Sequence, residues 1–336
     1  GDERLPVLML NYGKALSAAG QPLDAREAID AAIDSAADLL GPGAVVLAEY
    51  WLALAEVEGE LGSRDYQRRA YRKALDRVGE HYGDDSEAYA DIALDAGTTM
   101  FAAGEIDYSV KLIRDAHAAY SSSLGPAHDK TAMATLVLGR VEFQRGDYEA
   151  AERLMLDGLP ALQAGKPEHV ESEMRIRAFL VELLERQDRS SEATEHCLAI
   201  GRLSEGREQQ EYLPLYRETP VYPPDMLSAG IVGHVDVKFT VDEAGFVREP
   251  VVVATEQRQR DSAGRRNLKA TQRAAAAKSF EKEALAAVSE FRYAPTVVDG
   301  EATPTPGVRT RITFRIVSDP TTLLPTVRKI PAPAEP

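Results

Sequence analysis

Cysteine, long apolar runs and positive charge are all scarce in this sequence, and each shortage excludes a class of protein. Among the 336 residues there is one cysteine, Cys197, so neither an internal disulfide nor a CxxC metal site can form. No uncharged apolar run approaches the roughly 18 residues of a membrane-spanning helix. The first residues, Gly1 to Arg4, lack the basic start and apolar stretch of a signal peptide. These residues therefore form neither a disulfide scaffold nor a membrane-spanning domain.

Positive charge is outweighed by 54 acidic against 39 basic residues, which gives a formal net charge of −15. Such an excess disfavours non-specific binding to nucleic acid, because the phosphate backbone is itself a polyanion. The charge is unevenly distributed, with −16 over residues 1–217 and +1 over residues 218–317. This difference, together with the length of the chain, predicts two domains.

The signatures of the common catalytic sites are missing as well. The sequence contains no HExxH, GxSxG, GxxxxGK[ST] or GxGxxG motif, and no two of its six histidines stand at the i,i+4 spacing of a helical metal site. We therefore expect a protein that is not an enzyme and that needs no cofactor and no metal ion.

A 42-residue period runs through the first two thirds of the chain. A first set of turn residues recurs at this spacing, formed by Gly20, Gly62, Gly104, Gly146 and Asp188. A second set with the same spacing is formed by Gly41, Gly83, Gly125 and Pro167. Two breaks per period leave two helices of ordinary length, and stacked helix pairs can bury the apolar faces that a single pair cannot. The period predicts an α-helical solenoid of about five helix pairs over residues 1–205.

Residue size also follows the period. Mostly small residues lie seven positions before the first set of turns, at Gly13, Ala55, Gly97, Gly139 and Val181. Mostly large apolar residues lie nine positions after it, at Ile29, Tyr71, Ile113, Met155 and Cys197. Small residues at fixed offsets allow a neighbouring helix to approach closely. This helix-turn-helix pattern resembles tetratricopeptide repeats, and the 42-residue length is similar to the long variety found in kinesin light chains.

In repeats of this kind the first helix of each pair lines a concave groove. The residues that the spacing assigns to this groove are Glu49, Leu52, Glu56, Leu94, Thr98, Phe101, Leu136, Arg140 and Phe143. One interpretation is a peptide-binding channel. The alternative is that the apolar members are packing between repeats and the charged members a solvated face.

After the repeats the pattern changes. Residues 206–217 are polar and contain Pro214, which predicts a linker. From His234 to Val241 apolar and polar residues alternate, which predicts a half-buried strand, and Gly245 lies in the turn that follows. A second strand over about 246–254, a helix over about 279–290 and a last strand over Val308–Ile316 complete a β-β-α-β order. This order predicts a small α+β domain over residues 218–317, with a three-stranded antiparallel sheet covered by a helix.

These residues carry a second resemblance. Tyr222-Pro223, the run from Gly233 through Val241-Asp242 to Gly245-x-Val247, Phe291-Arg292-Tyr293-x-Pro295, and the final Ile312-x-Phe314-x-Ile316 occur in one order. The region, about 100 residues long, resembles the C-terminal domain of TonB, here joined to tetratricopeptide-like repeats. The family domain lies in the periplasm and takes up a short peptide of an outer-membrane transporter as an added strand.

The resemblance implies a peptide-binding site in this chain. The last strand would receive the peptide through Val308, Arg309, Thr310, Arg311, Ile312, Thr313 and Arg315, and the preceding segment Thr219, Pro220 and Val221 would also contact it. An open strand edge supports this mode physically, because it presents backbone groups that an extended peptide can pair with. The alternative for the arginines is that they block pairing with other chains.

A basic stretch over residues 256–278 is predicted as an insert between the second strand and the helix. It holds seven basic and two acidic residues. It either binds an acidic partner or forms a solvated extension, and its Ala-rich part, Asn267–Lys278, is able to extend the helix toward the N-terminus. Residues 318–336 form a Pro-rich tail.

Together these features lead to one expectation and one rival. We expect a non-enzymatic periplasmic interaction protein that binds a transporter or envelope peptide, with a TonB-dependent outer-membrane transporter as the candidate partner and the repeats recruiting a second protein. An inner-membrane anchor upstream of Gly1 would fit this role. The rival is a structural adaptor, or scaffold, whose sheet mediates homodimerisation or intramolecular packing without energy transduction.

Overall fold

The computed structural model describes residues 4–163, 169–207, 212–259 and 270–316. Packing divides the chain into two compact units, Gly1–Glu173 (unit 1) and Met174–Pro336 (unit 2). Within the described residues, no helix is both long enough and apolar enough to span a membrane.

Unit 1 is a run of antiparallel helix pairs. Its helices are α1 (Leu5–Ala18), α2 (Pro22–Leu40), α3 (Leu47–Glu60), α4 (Arg64–Tyr82), α5 (Glu87–Ala102), α6 (Ile106–Ser123), α7 (Asp129–Gln144) and α8 (Tyr148–Leu162). Each pair is closed by the turn that the 42-residue period marks. The first four members of the first set of turns, Gly20 to Gly146, all have positive φ, and Asp188 takes the same left-handed conformation at φ 57°.

The second set of turns behaves in the same way wherever it is described. Gly41, Gly83 and Gly125 have φ values between 88° and 92°. Pro167, the fourth member, lies outside the described residues.

The size pattern of the repeat has a direct structural cause. A Cβ atom added to Gly13 would lie 2.5 Å from Cγ1 of Ile29, and one added to Gly97 would lie 2.6 Å from Cγ1 of Ile113. The small residue before each turn and the large residue after it therefore face each other across the helix pair. The prediction that small residues permit close helix approach is confirmed at these two pairs.

Unit 2 begins inside α9 (Val170–Glu185) and continues with α10 (Ser190–Ser204), so the fifth helix pair packs with the C-terminal region. The predicted linker, 206–217, lies within this unit, and its described part is anchored. Tyr212 stacks on Tyr293 with ring centroids 5.3 Å apart and donates a hydrogen bond to the Ala294 carbonyl oxygen.

The sheet of unit 2 is antiparallel and three-stranded, as predicted, and its strand order is β2-β1-β5. The strands are β1 (Ile231–Val241), β2 (Val247–Gln259) and β5 (Thr305–Phe314). Gly245 has φ 87° in the β1–β2 turn, where a Cβ atom would lie 2.1 Å from the Tyr293 carbonyl oxygen. Only glycine fits this position, because both the conformation and the space exclude a side chain.

One face of the sheet is covered by α12 (Ala270–Ser289), with α11 (Pro224–Ser228) before β1. Alternate strand residues and one stripe of α12 form the core: Val235, Val237, Phe239, Val241, Phe280, Ala284, Val288, Ile312 and Phe314. Phe280 and Phe314 stack with centroids 4.4 Å apart. Apolar alternation alone predicted which face of each strand is buried.

The limits of several elements differ from the predicted ones, and one hairpin was not predicted. β2 extends to Gln259 and α12 begins at Ala270, so residues 256–259 and 270–278 of the predicted basic insert belong to regular elements. The prediction that the Ala-rich part of this stretch extends the helix is confirmed over residues 270–278. The second strand was ended too early because basic residues on the exposed face of a strand resemble a loop in sequence. The last strand spans Thr305–Phe314 and not Val308–Ile316. A short hairpin of β3 (Thr296–Val298) and β4 (Glu301–Thr303) was missed, since three-residue strands show no measurable alternation.

Candidate functional site

β5 is an edge strand of the sheet. Within the described residues it pairs with β1 on one side only, from Gly233 opposite Phe314 to Val241 opposite Thr305. The backbone groups on its outer side therefore have no strand partner there. An edge of this kind is the structural requirement for strand addition.

The two faces of β5 differ sharply. Thr310, Ile312 and Phe314 are buried, the last two in the core that includes α12, and Val308 packs partly against the same core. Arg309, Arg311, Thr313 and Arg315 lie on the opposite, open face. The predicted site residues are thus separated into one set that fixes the strand and one set that faces outward.

The arginines of the open face are not equivalent. Arg311 donates two hydrogen bonds to the carboxylate of Asp236 on β1, from Nε at 2.6 Å and from Nη2 at 2.8 Å. These bonds raise the pKa of Arg311 and leave little net charge at this point of the face. Arg309 and Arg315 are exposed and form no ion pair with a described residue.

The segment before Tyr222 lies beside the same sheet. Thr219 and Val221 are exposed and Pro220 is partly buried. Tyr222 holds the segment, since its ring contacts Phe314 edge-on at 5.6 Å between centroids and its hydroxyl donates a hydrogen bond to the Ile231 carbonyl oxygen. Burial raises the pKa of Tyr222 to about 12, so the hydroxyl stays protonated and able to donate.

A cavity of about 580 Å³ opens at the end of the sheet where β1 starts and where β2 and β5 finish. Its lining includes Val232 and His234 of β1, Arg258 of β2 and Arg315 beyond the last residue of β5. No sequence motif indicated this cavity, because its residues are brought together only by the strand register.

Arg292 forms a buried ion pair that the sequence analysis did not predict. It lies in the motif Phe291-Arg292-Tyr293-x-Pro295, which entered the sequence analysis only as part of the resemblance. The structure buries the Arg292 side chain, 1% exposed, in an ion pair with Glu185 of α9. Its Nη2 donates to Oγ1 of Thr194 at 2.8 Å and to the Ala244 carbonyl oxygen at 3.1 Å.

The guanidinium of Arg292 also lies 3.7 Å from the centroid of the Phe246 ring. Its own backbone bridges to Tyr216 and to Phe246. One residue therefore joins the fifth helix pair, the β1–β2 turn and the segment before β1. Glu185 lies more than a hundred positions away, so no local pattern could have paired the two.

Cys197 lies beside this ion pair as a buried thiol, with its Sγ atom 3.7 Å from Nη2 of Arg292. Burial raises the pKa of Cys197 to about 12, although the nearby guanidinium acts in the opposite direction. A thiol that stays protonated is a poor nucleophile. Within the described residues, no cluster of three or more His, Cys, Asp or Glu side chains is arranged to hold a metal ion.

The groove candidates of unit 1 fall into three groups. Glu49, Glu56 and Arg140 are exposed; Leu52, Leu94, Thr98 and Phe101 are partly buried; and Leu136 is buried. Leu52 and Leu94 pack against the main core of the repeats, and Phe143 contacts the Tyr148 ring at 5.2 Å. The apolar candidates therefore contribute to packing, and whether the partly buried ones also line a peptide channel stays a prediction.

The exposed acidic groove candidates, Glu49 and Glu56, have polar neighbours on adjacent repeats. Glu49 accepts a hydrogen bond from Nζ of Lys14 on the preceding first helix, at 2.7 Å. Glu56 lines a cavity of about 410 Å³ together with Asp95 and Thr99 of the next repeat. Whether this polar surface binds a partner stays a prediction.

Comparisons with known proteins support the fold of the repeats. No protein-family model matches the chain, and no curated protein matches it. A crystal structure of a proposed kinesin light chain with nearly identical TPR-like repeats, from Podosopora anserina, is 14% identical, covers 62% of this chain and 100% of that chain, and has a TM-score of 0.50. A crystal structure of BtubC (BKLC) from P. vanneervenii is 15% identical and covers 62% of this chain and 86% of that chain, with a TM-score of 0.46.

Identities this low show the fold alone. The chain is a TPR-like helical repeat of ten helices followed by a small three-stranded antiparallel sheet. The prediction of tetratricopeptide-like repeats is confirmed. The resemblance to the TonB C-terminal domain stays a prediction.

Proposed function

We propose that this chain is an interaction protein that takes up an extended peptide along the outer edge of β5, while its helical repeats recruit a second protein. The observation that carries the proposal is the state of β5, whose outer side has no strand partner among the described residues. Backbone pairing there would supply affinity with little demand on the sequence of the peptide.

The rigidity of the receiving strand supports this mode. Ile312 and Phe314 are 1% and 2% exposed, so β5 is fixed by its inner face and need not reorganise when its outer edge pairs. A preorganised strand avoids part of the entropic cost of association. The resemblance to the TonB C-terminal domain extends the proposal to a periplasmic location and to an outer-membrane transporter as the source of the peptide.

The proposal is tested with the whole chain by hydrogen exchange. A ten-residue peptide rich in Val and Thr is added at millimolar concentration, beside a control peptide with the same side chains but N-methylated at alternate positions. We expect slower exchange of the β5 amides, residues 305–314, with the first peptide only. Unchanged exchange in β5 with both peptides would contradict strand addition.

The structural-adaptor alternative is favoured by a separate observation, the packing of the C-terminal region on the fifth helix pair. Two contacts show this packing. Arg292 forms an ion pair with Glu185, and the Gly300 amide donates a hydrogen bond to Oε1 of Glu205 at 2.9 Å. Intramolecular packing therefore already uses one side of this region. Sedimentation of the whole chain tests the dimeric form of the adaptor, since a chain that pairs two copies through β5 would be a dimer without any peptide. An adaptor that uses intramolecular packing alone would be a monomer whose β5 exchange does not respond to the peptide.

A further inference from the structure

Glu58, near the end of α3, is a buried carboxylate without a counter-charge. The residue is 3% exposed, and its Oε2 atom has no hydrogen-bond partner among the described residues. Removing a carboxylate from water is costly unless a cation or hydrogen-bond donors take the place of the lost hydration. Glu58 therefore marks a place where a cation from outside the chain would be stabilised.

The same repeat position two periods later shows how such a carboxylate is satisfied. Glu142 on α7 is also 3% exposed. Its Oε1 atom accepts a hydrogen bond from Nη2 of Arg114 on α6 at 2.6 Å, and its Oε2 atom accepts one from Nη1 of Arg145 at 3.2 Å. The protein itself thus supplies two guanidinium groups to this second carboxylate.

Neither guanidinium has a counterpart at Glu58. Counting back 84 positions, Asp30 stands in place of Arg114 and Leu61 in place of Arg145. Partial desolvation and the nearby Glu58 carboxylate raise the pKa of Asp30, while Arg26 acts in the opposite direction. Two carboxylates therefore face each other where the later repeat has an ion pair.

Glu58 and Asp30 line a cavity of about 560 Å³ formed by α2, α3 and α4. Trp51 and Leu54 also line it and lie on the same face of α3 as Glu58. The other charged side chains in the lining are the basic Arg26, Arg69, Arg72 and Lys73 and the acidic Glu27. Within the described part of the chain, none of the four basic residues forms an ion pair with Glu58. Arg69, Arg72 and Lys73 are exposed, so water screens their charge and they do not replace a direct partner.

We propose that this cavity binds the guanidinium group of an arginine side chain on the protein that the repeats recruit. The inference rests on the recruiting role proposed above and adds the chemistry of the partner. The guanidinium would take at Glu58 the place that the Arg114 guanidinium takes at Glu142. A guanidinium is favoured over an ammonium because it donates parallel hydrogen bonds to a carboxylate and stacks on aromatic rings such as that of Trp51.

Trp51 is the only tryptophan of the chain, so its fluorescence reports on the cavity directly. The whole chain is titrated with a blocked tripeptide that carries a central arginine, and with the same tripeptide carrying the neutral citrulline. We expect the arginine peptide to bind about tenfold more tightly. Glu58→Gln should remove this preference. Glu56→Gln is the matched control and should keep it, since Glu56 is an exposed acid of the same helix that does not line this cavity.

A second variant transfers the Glu142 arrangement to this cavity. Asp30→Arg places a guanidinium at the position of Arg114, so we expect it to raise the urea midpoint of unfolding and to abolish the preference for the arginine peptide. Asp30→Asn, which removes only the repulsion between the two carboxylates, should raise the midpoint less and keep the preference. An unchanged midpoint in Asp30→Arg would show that Glu58 needs no counter-charge and would overturn the proposal.

Four further outcomes would also overturn it. Equal binding of the two peptides would show that the repeats bind a peptide here without selecting its charge. Binding of neither would remove recruitment at this cavity as well, whereas hydrogen exchange along β5 tests strand addition independently. Tighter binding of a tripeptide with a central glutamate would assign the cavity to its basic side chains. If Arg26→Gln destabilises the chain as much as Arg114→Gln does, Arg26 already serves as the counter-charge of Glu58.

Discussion

The two units of this protein are built on different principles. In unit 1 the contacts repeat, so that Gly13 meets Ile29 and Gly97 meets Ile113 in the same way 84 positions later. In unit 2 the decisive contact occurs once and joins Arg292 to Glu185, which is distant in sequence. A periodic unit spreads its stability over many equivalent contacts, whereas the C-terminal unit adds to its hydrophobic core a single buried ion pair that occurs once.

The sharpest test of this difference is the removal of Arg292. Arg292→Met would leave the Glu185 carboxylate buried without its partner, and we expect the free energy of unfolding to fall by about 3–5 kcal/mol. Urea denaturation measures this loss.

Two controls make this experiment specific. Arg309→Met, an exposed arginine of the same unit, should change stability by less than about 0.5 kcal/mol. The double variant with Glu185→Met should recover part of the loss, because no buried charge then lacks a partner. Equal effects at Arg292 and Arg309 would show that the ion pair does not organise unit 2.

Within unit 1, two leucines at the same repeat position offer a matched pair. Leu5 on α1 is 48% exposed, whereas Leu47, one period later on α3, is 2% exposed. Leu47→Ala should cost about 2–5 kcal/mol, because it leaves a cavity in the core.

The expected loss for Leu5→Ala is at most about 1 kcal/mol, since its side chain is already half in water. Thermal or urea unfolding of both variants tests the comparison. A loss at Leu5 as large as that at Leu47 would mean that the exposed face of α1 is covered in solution.

A smaller effect is expected from the glycines that permit close helix approach. Gly97→Ala would place a methyl group 2.6 Å from Cγ1 of the fully buried Ile113, so we expect a loss of about 1–2 kcal/mol despite the better helix propensity of alanine. Gly43→Ala is the matched control. Its methyl group would lie 3.6 Å from Nη1 of Arg77, which is an ordinary van der Waals distance, so we expect little change in the free energy of unfolding. A neutral Gly97→Ala would argue against the tight helix contact.

The smallest expected effect is a loss of folding stability at alkaline pH that is linked to the Cys197 thiol. Burial raises the pKa of this thiol to about 12, so the unfolded chain releases the proton first. Its contribution to stability is complete below about pH 8.5 and is lost progressively as the pH rises toward 12. Cys197→Ala should therefore lose less stability than the parent chain between pH 8.5 and 10.5.

The same thiol gives a labelling experiment. Iodoacetamide at pH 8.5 should alkylate Cys197 slowly in the native chain and rapidly in urea. Fast labelling of the native chain would contradict the burial of the thiol.

The sequence predicted what is periodic and missed what depends on register or distance. Positive φ at Gly20 through Asp188 and the buried face of β5 both follow from local patterns, and both were found. The Arg292–Glu185 pair and the cavity lined by Arg258 and Arg315 depend on residues far apart in sequence. No spacing rule links such residues, because only the folded packing brings them together.

The end of β2 was also hard to predict from the sequence. Arg258 was assigned to an insert because of its charge, but its exposed side chain belongs to a strand whose backbone pairs in register with β1. Charge on one face does not end a strand as long as the alternation continues. The extent of β2 was set by its ladder with β1 and not by its composition.

Amide hydrogen exchange along β5 in the whole chain, with and without an extended peptide, shows whether this edge is open to a partner. We expect exchange within residues 305–314 to slow with a peptide that can pair through its backbone. We expect no change with the N-methylated control. Exchange in β5 that is already slow and does not respond to either peptide would contradict the claim that this edge is open to a partner.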